Sequence, residues 1–269
     1  MTAAAAYGFR WTGVPGTVPG GDEAAGWPPV AVRHEAPARY ADRDAVEDDQ
    51  AILAVPGGSI HLRRSPREAA IRVASAPSAT EIITRHAARM AAVFSTWAGR
   101  PTFQAGAVAD GSRALAVAGP MLAGKTTLLE AYARAGGLVF CDEVIATDRG
   151  RVLAGTPLLR LRPDALEAIG PAVAARSAPP RATLPLAGFA FLEWGPEAAL
   201  TPMGPAERLA ALDGARVAGS SSQPPPEVLD LVRLPAWRLV RPSGWDRLHE
   251  GVGLLRRALA SSGEAARAR

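Results

Sequence analysis

The chain holds one lysine among its 30 basic residues, and that lysine stands in GPMLAGKT, Gly119 to Thr126. Every fixed position of G-x-x-x-x-G-K-[ST] is met, which is the spacing of a phosphate-binding loop. Gly119 and Gly124 free the backbone to wrap around an anion, with Pro120, Met121, Leu122 and Ala123 completing the turn. Lys125 would reach the β- and γ-phosphates as a compact point charge, where a planar guanidinium fits poorly. Thr126 would offer its hydroxyl to Mg²⁺. Thr127 continues into a helix whose positive end faces the same anion. The implied ligands are ATP and Mg²⁺.

A second chemical element follows in LVFCDE, residues 138–143. An apolar strand ending in acids shortly after a phosphate-loop helix suits a Mg²⁺-binding strand. Consecutive strand side chains point to opposite faces, so Asp142 and Glu143 can serve one site only if the strand ends there. Asp142 is expected to be the essential carboxylate, holding Mg²⁺ or accepting a proton from an attacking hydroxyl, with Glu143 in the other role. The catalytic expectation is therefore Asp142, Lys125 and Glu143. The metal expectation is Thr126, Asp142 and Glu143. Cys141 reads as a buried strand residue.

Recurring hydrophobic and turn signals define the elements that must position these groups. Residues 1–50 are rich in Gly, Pro and acids and read mostly as loop or edge, with a strand-like PVAVRHEA. Three short strands follow over 51–74. A helix over 78–98 opens on a Ser78/Glu81 capping box and carries an apolar stripe of Ile83, Ala87, Met90, Phe94 and Trp97. Asp110-Gly111 suits a hairpin turn just before the loop. KTTLLEAYARAG is a helix, and a second hairpin turns at Asp148–Gly150. PDALEAIG and GPAERLAAL read as helices, LAGFAFLEWG and PAWRLVRP as strands. Residues 171–185 and GSSSQPPPE read as loops. A last helix is expected over 243–260, with Ser243 as N-cap and Trp245, Leu248, Val252, Leu255 and Leu259 as its stripe. The expected organisation is a β-rich region with one helix at 1–100, a phosphate-loop α/β domain with a mixed, hairpin-containing sheet at 101–260, and a disordered tail at 261–269.

Bulk properties exclude several classes. A net charge of +4 and 6% aromatic residues, with no basic run interleaved with aromatics, speak against nucleic-acid binding. One cysteine permits no internal disulfide and no cysteine-rich zinc site. The histidines His34, His61, His86 and His249 form no metal-binding spacing. No apolar run reaches membrane-spanning length and no signal peptide is evident, so a cytoplasmic location without membrane contact is expected. The chain contains no asparagine, which removes the guanine-recognition motif N-K-x-D, and it has no L-S-G-G-Q stretch.

Hairpins immediately before the loop and after the acidic strand are foreign to a purely parallel nucleotide fold. From about Thr102 to Leu161 the chain resembles the HPr kinase-like family, whose phosphate-loop domain is related to that of the phosphoenolpyruvate carboxykinases. The resemblance lies in FQAGAVADGSRALAVAGPMLAGKTTL and GGLVFCDEVIATDRGRVLAGTPLLRL, and more loosely in LAGFAFLEWG and LPAWRLVRP. Gln104 stands where that family usually has histidine. Met121, Leu122 and Thr126 replace its small loop residues and serine, and Glu143 replaces an aspartate. The later segment of the bifunctional kinase/phosphorylases is absent, so the resemblance implies a smaller, monofunctional relative. Such relatives include kinases that phosphorylate a serine on ribosomally made peptides, lasso-peptide precursors among them.

Three activities are compatible with this sequence. The first is an ATP-dependent kinase acting on a serine hydroxyl of a peptide or small protein, with Arg160, Arg162, Arg176 and Arg181 either gripping an acidic acceptor or simply solvated. The second is a kinase for a small hydroxylated metabolite. The third is a nucleotide-binding module without catalysis. The oligomeric state, including a homo-oligomer, and the role of the N-terminal region stay open.

Overall fold

A computed structural model describes residues 3–16, 19–36, 41–156, 159–171, 179–217 and 226–267. It is a mixed α/β architecture built on two mixed sheets. The first sheet contains β1 (Ala3–Ala6), β2 (Phe9–Pro15), β3 (Pro29–Glu35), β4 (Ala45–Val46), β5 (Gln50–Val55), β6 (Gly58–Arg63) and β7 (Glu68–Val73). Their spatial order is β1-β2-β3-β7-β6-β5-β4.

After β7 the chain enters α1 (Ala79–Glu81), passes through a π-helical turn at Ile82–His86 and continues as α2 (Ala87–Trp97). The capping box forms as expected: Ser78 Oγ accepts from the Glu81 amide, and Glu81 accepts from the Ser78 amide. Met90 and Phe94 of the stripe are buried. Phe94 packs on Phe9 with ring centroids 5.7 Å apart, and on Trp11 at 6.4 Å.

The second sheet contains β8 (Thr102–Phe103), β9 (Ala105–Ala109), β10 (Ala114–Ala118), β11 (Leu138–Cys141), β12 (Ile145–Asp148), β13 (Arg151–Leu153), β14 (Thr183–Trp194), β15 (Ala199–Pro202) and β16 (Ala236–Arg241). Both expected hairpins are present, β9/β10 and β12/β13. At the first turn Asp110 accepts from the Ser112 and Arg113 amides, closing the loop on its own carboxylate. β10, β14 and β16 are mutually parallel. β11 and β10 each pair antiparallel with β9, so β11 points the same way. Four strands thus end at one edge of the sheet, the edge where open α/β sheets bind ligands.

The helices are α3 (Lys125–Arg134), α4 (Pro163–Ile169), α5 (Pro205–Ala215), α6 (Pro226–Val232) and α7 (Leu248–Arg267). Strand alternation explains how the layers stack. Ala114, Ala116 and Ala118 of β10 join the core shared with the first sheet, while Leu115 and Val117 join the core under α3 and α7. Small side chains on one face bring the first sheet close, and larger ones fill the gap beneath the helices. None of the helices among the described residues is long and apolar enough to cross a membrane.

Four sequence expectations need correction. Ala3–Ala6 and Phe9–Pro15 are strands carrying core residues, not loop: Tyr7, Phe9 and Trp11 are buried. A run of alanines has no two-residue period to reveal it. The last helix starts at Leu248 instead of near Ser243, which leaves Trp245 outside it and 45% exposed. The tail from 261 is helical to Arg267, because Ser262 continues the buried face and donates to Leu259 O at 2.7 Å. The end of the expected 171–185 loop is strand from Thr183. Residues 172–178, including Arg176, and most of GSSSQPPPE lie outside the described residues.

Candidate functional site

The loop between β10 and α3 is held by its carbonyls. Lys125 Nζ donates to Gly119 O at 2.8 Å and Pro120 O at 2.9 Å. Trp194 Nε1 donates to Leu122 O at 3.2 Å. Arg241 Nη2 donates to Ala123 O at 3.0 Å and Gly124 O at 3.3 Å. Five of the loop's acceptors are therefore taken by protein donors. The amides of the first turn of α3, by contrast, have no intrahelical acceptor. A loop with its acceptors satisfied and its helix-end donors free is biased toward anions.

Two strand ends act as the brace. Trp194 and Arg241 are register partners at the ends of β14 and β16. The Arg241 guanidinium lies 3.9 Å from the Trp194 ring centroid, a close cation–π contact. Burial pulls the Arg241 pKa down to about 10. Gly124 is required twice over. Its φ of +74° suits glycine, and a Cβ there would collide with the Arg241 guanidinium.

Thr126 and Asp142 meet directly, as expected: Thr126 Oγ1 donates to Asp142 Oδ2 at 2.9 Å. Asp142 is 3% exposed. Burial raises its carboxyl, while the Glu143 amide, Thr126 and Lys125 pull it back down. Burial lowers the half-buried Lys125 ammonium, and Asp142 opposes that shift. Gly106 makes room for this arrangement, since a Cβ there would strike Leu129 and crowd Asp142 Oδ1 at 3.3 Å.

β11 ends at Cys141, so both acids lie beyond the strand, as one shared site requires. They nevertheless diverge. The Val144 amide bonds Asp142 O at 2.8 Å and Glu143 has φ +67°, a three-residue turn in a strained region for a side chain. Asp142 stays under the loop. Glu143 turns into a groove of about 410 Å³ shared with Arg85, His86, Arg89 and Arg160. Burial, then Asp142, raises the Glu143 carboxyl, and Arg160 and Arg89 oppose the rise. The structure therefore joins Thr126 with Asp142 and puts Glu143 on a different side of the centre.

Sequence reasoning missed Tyr7, Trp194 and Arg241. Tyr7 sits at the tip of the first hairpin and donates its hydroxyl to Asp142 O at 3.1 Å, across 135 residues of chain. No local signal marks such a contact. Trp194 and Arg241 each end an apolar strand, a position that could have flagged them. Of the arginines noted from sequence, Arg160 reaches the groove with Glu143, Arg162 pairs with Asp164, and Arg181 pairs with Glu23. Gln104 is exposed, and its amide bonds Ala215 O at 2.7 Å.

Oxygen donors from one hydroxyl and one carboxylate suit Mg²⁺, which takes few protein ligands and completes its shell with phosphates and water. Among the described residues no three His, Cys, Asp or Glu side chains gather around a metal position.

No protein-family model matches the chain, and no curated protein matches it. Among solved structures it is similar to the Hpr(Ser) kinase/phosphatase from Coxiella burnetii. The identity is 11%, the match covers 58% of this chain and 94% of that one, and the TM-score is 0.33. The chemistry of the site rests on its own geometry.

Proposed function

We propose that this protein is an ATP-dependent kinase of the HPr kinase-like type that transfers the γ-phosphoryl group to a hydroxyl, the serine hydroxyl of a peptide or small protein. The observation that carries this reading is the Thr126–Asp142 contact at 2.9 Å beneath a loop whose carbonyls are already engaged. Loop amides and Lys125 would bind the β- and γ-phosphates; the ammonium has three protons, and two are used on the loop. Mg²⁺ would be held by Thr126 and Asp142, where it neutralises charge on the phosphates.

Glu143 is assigned as the base. Its raised carboxyl pKa moves toward the neutral range that suits proton acceptance, and it faces the groove from which an acceptor would approach. The acceptor oxygen bonds to the γ-phosphorus, the bond to the ADP oxygen breaks, and the hydroxyl proton passes to the Glu143 carboxylate. Arg85 and Arg160 form no ion pair among the described residues, so both are available to an acceptor bearing an anionic group. Arg89 is already committed to Asp44 and Ala54 O.

A second reading, a small hydroxylated metabolite as acceptor, is favoured by the groove's volume of about 410 Å³, which is small-molecule size. Incubation with γ-labelled ATP, Mg²⁺ and serine-bearing peptides should yield labelled phosphoserine. Label on metabolites alone would select the second reading. ATP bound with no transfer to either class would reduce the protein to a nucleotide-binding module.

A further inference from the structure

A second groove, of about 440 Å³, opens beside the loop. Gly124 and Thr127 form its edge toward the phosphate loop, Trp194 and Trp245 are its aromatic walls, and Arg162 and Asp164 lie at its rim. Seven large apolar side chains are exposed among the described residues, and three of them, Leu122, Trp194 and Trp245, line this one groove. Such clustering marks a surface that is covered in use.

The direction of the first turn of α3 says what covers it. Thr126 points to Asp142, while Thr127, about 100° further around the helix, lines the groove. A phosphate chain with its terminal end toward Asp142 and Lys125 therefore continues, at its other end, into the space between the tryptophans. The two rings differ. Trp194 is a fixed wall: one face is taken by Arg241 and its N–H by Leu122 O. The Trp245 indole makes no hydrogen bond or ring contact among the described residues, and the residue is 45% exposed. Its indole face is available to another flat ring. Asp164 adds an acceptor at the rim suited to ribose hydroxyls.

We infer that this groove binds the nucleoside of the phosphoryl donor, with the base stacked on Trp245 and bounded by Trp194, so that the protein selects a nucleotide over an inorganic polyphosphate. The inference rests on the loop being a triphosphate cradle, and the two can fail separately.

The test is calorimetric titration of the Mg²⁺ complexes of ATP and of inorganic tripolyphosphate into the full chain. Wild type should bind ATP at least tenfold more tightly than tripolyphosphate. Base–aromatic stacking predicts that Trp245→Ala weakens ATP by roughly 5- to 100-fold, with tripolyphosphate unchanged and Trp245→Phe retaining most of the ATP affinity. Equal affinity of wild type for the two ligands, or a Trp245→Ala loss shared equally by both, would overturn the inference and leave the phosphate loop standing. Binding of neither ligand by wild type would overturn both.

Discussion

The two grooves, one beside the loop and one at Glu143, are nearly equal in volume, about 440 and 410 Å³, yet opposite in chemistry. The first is walled by Trp194 and Trp245 and is built from residues 122–248 alone. The second is lined by Arg85, His86, Arg89 and Arg160, and combines the β5–β6 turn and the π-helical turn with Glu143. Aromatic faces suit a base whose binding is tolerant of detail, whereas arginines suit a partner with a defined negative charge. Under the proposed assignment the donor side is formed by the second sheet and the helices around it, while the acceptor side depends on the N-terminal region. On the proposed reading, variation in the first hundred residues would alter the acceptor groove and leave the lining of the donor groove unchanged.

Asp142→Asn strikes the carboxylate bonded to Thr126 beneath the loop and should have the largest effect. Transfer should fall by roughly 100- to 1,000-fold, with the fold intact. The sign of the stability effect is also fixed. Burial raises the Asp142 pKa, so the ionised form costs stability at pH 8, and the neutral amide should melt no lower than wild type there. Undiminished transfer would move the essential role to Glu143.

The asymmetry between grooves is sharpened by Arg85→Gln with Arg160→Gln. Losing charge-assisted hydrogen bonds should raise the acceptor KM by roughly 10- to 100-fold while ATP affinity stays unchanged. Equal loss on the ATP side would break the comparison. Tyr7→Phe probes the support beneath the acid. It removes two buried hydrogen bonds, to Asp142 O and from the Thr156 amide, and should cost about 2 kcal/mol in urea unfolding, with a modest loss of transfer.

The effect most remote from transfer is a pH slope in stability. Burial depresses His86 from 6.5 to about 4. Between those values the unfolded chain takes a proton that the folded chain refuses, so stability falls as pH drops through this window. His86→Gln should flatten that part of the stability profile; an unchanged slope would assign it to another group.

The loop, α3, the acidic strand end and both hairpins were legible because each is written locally, in fixed spacings and turn residues. The first sheet's opening strands were not, since AAAA and a glycine-rich run carry no period and acquire their order from Phe9, Trp11 and Phe94 packing together. Trp194, Arg241 and Trp245 escaped for another reason. Each sits at or beyond a strand end, separated from Gly124 by at least 70 positions of sequence, and only the parallel register of β10, β14 and β16 brings them to one place. The early start assigned to the last helix came from counting Trp245 into a stripe to which it does not belong.

Tyr7 and Asp142 stand 135 residues apart in the chain. The hydrogen bond between them cannot close during synthesis until that whole interval has been made. Bringing such distant segments together carries a loop-closure penalty, which slows folding. Trp194 and Arg241, which brace the loop, come later in the chain than Asp142, so synthesis supplies both partners of the acidic turn before it supplies the side chains that hold the loop.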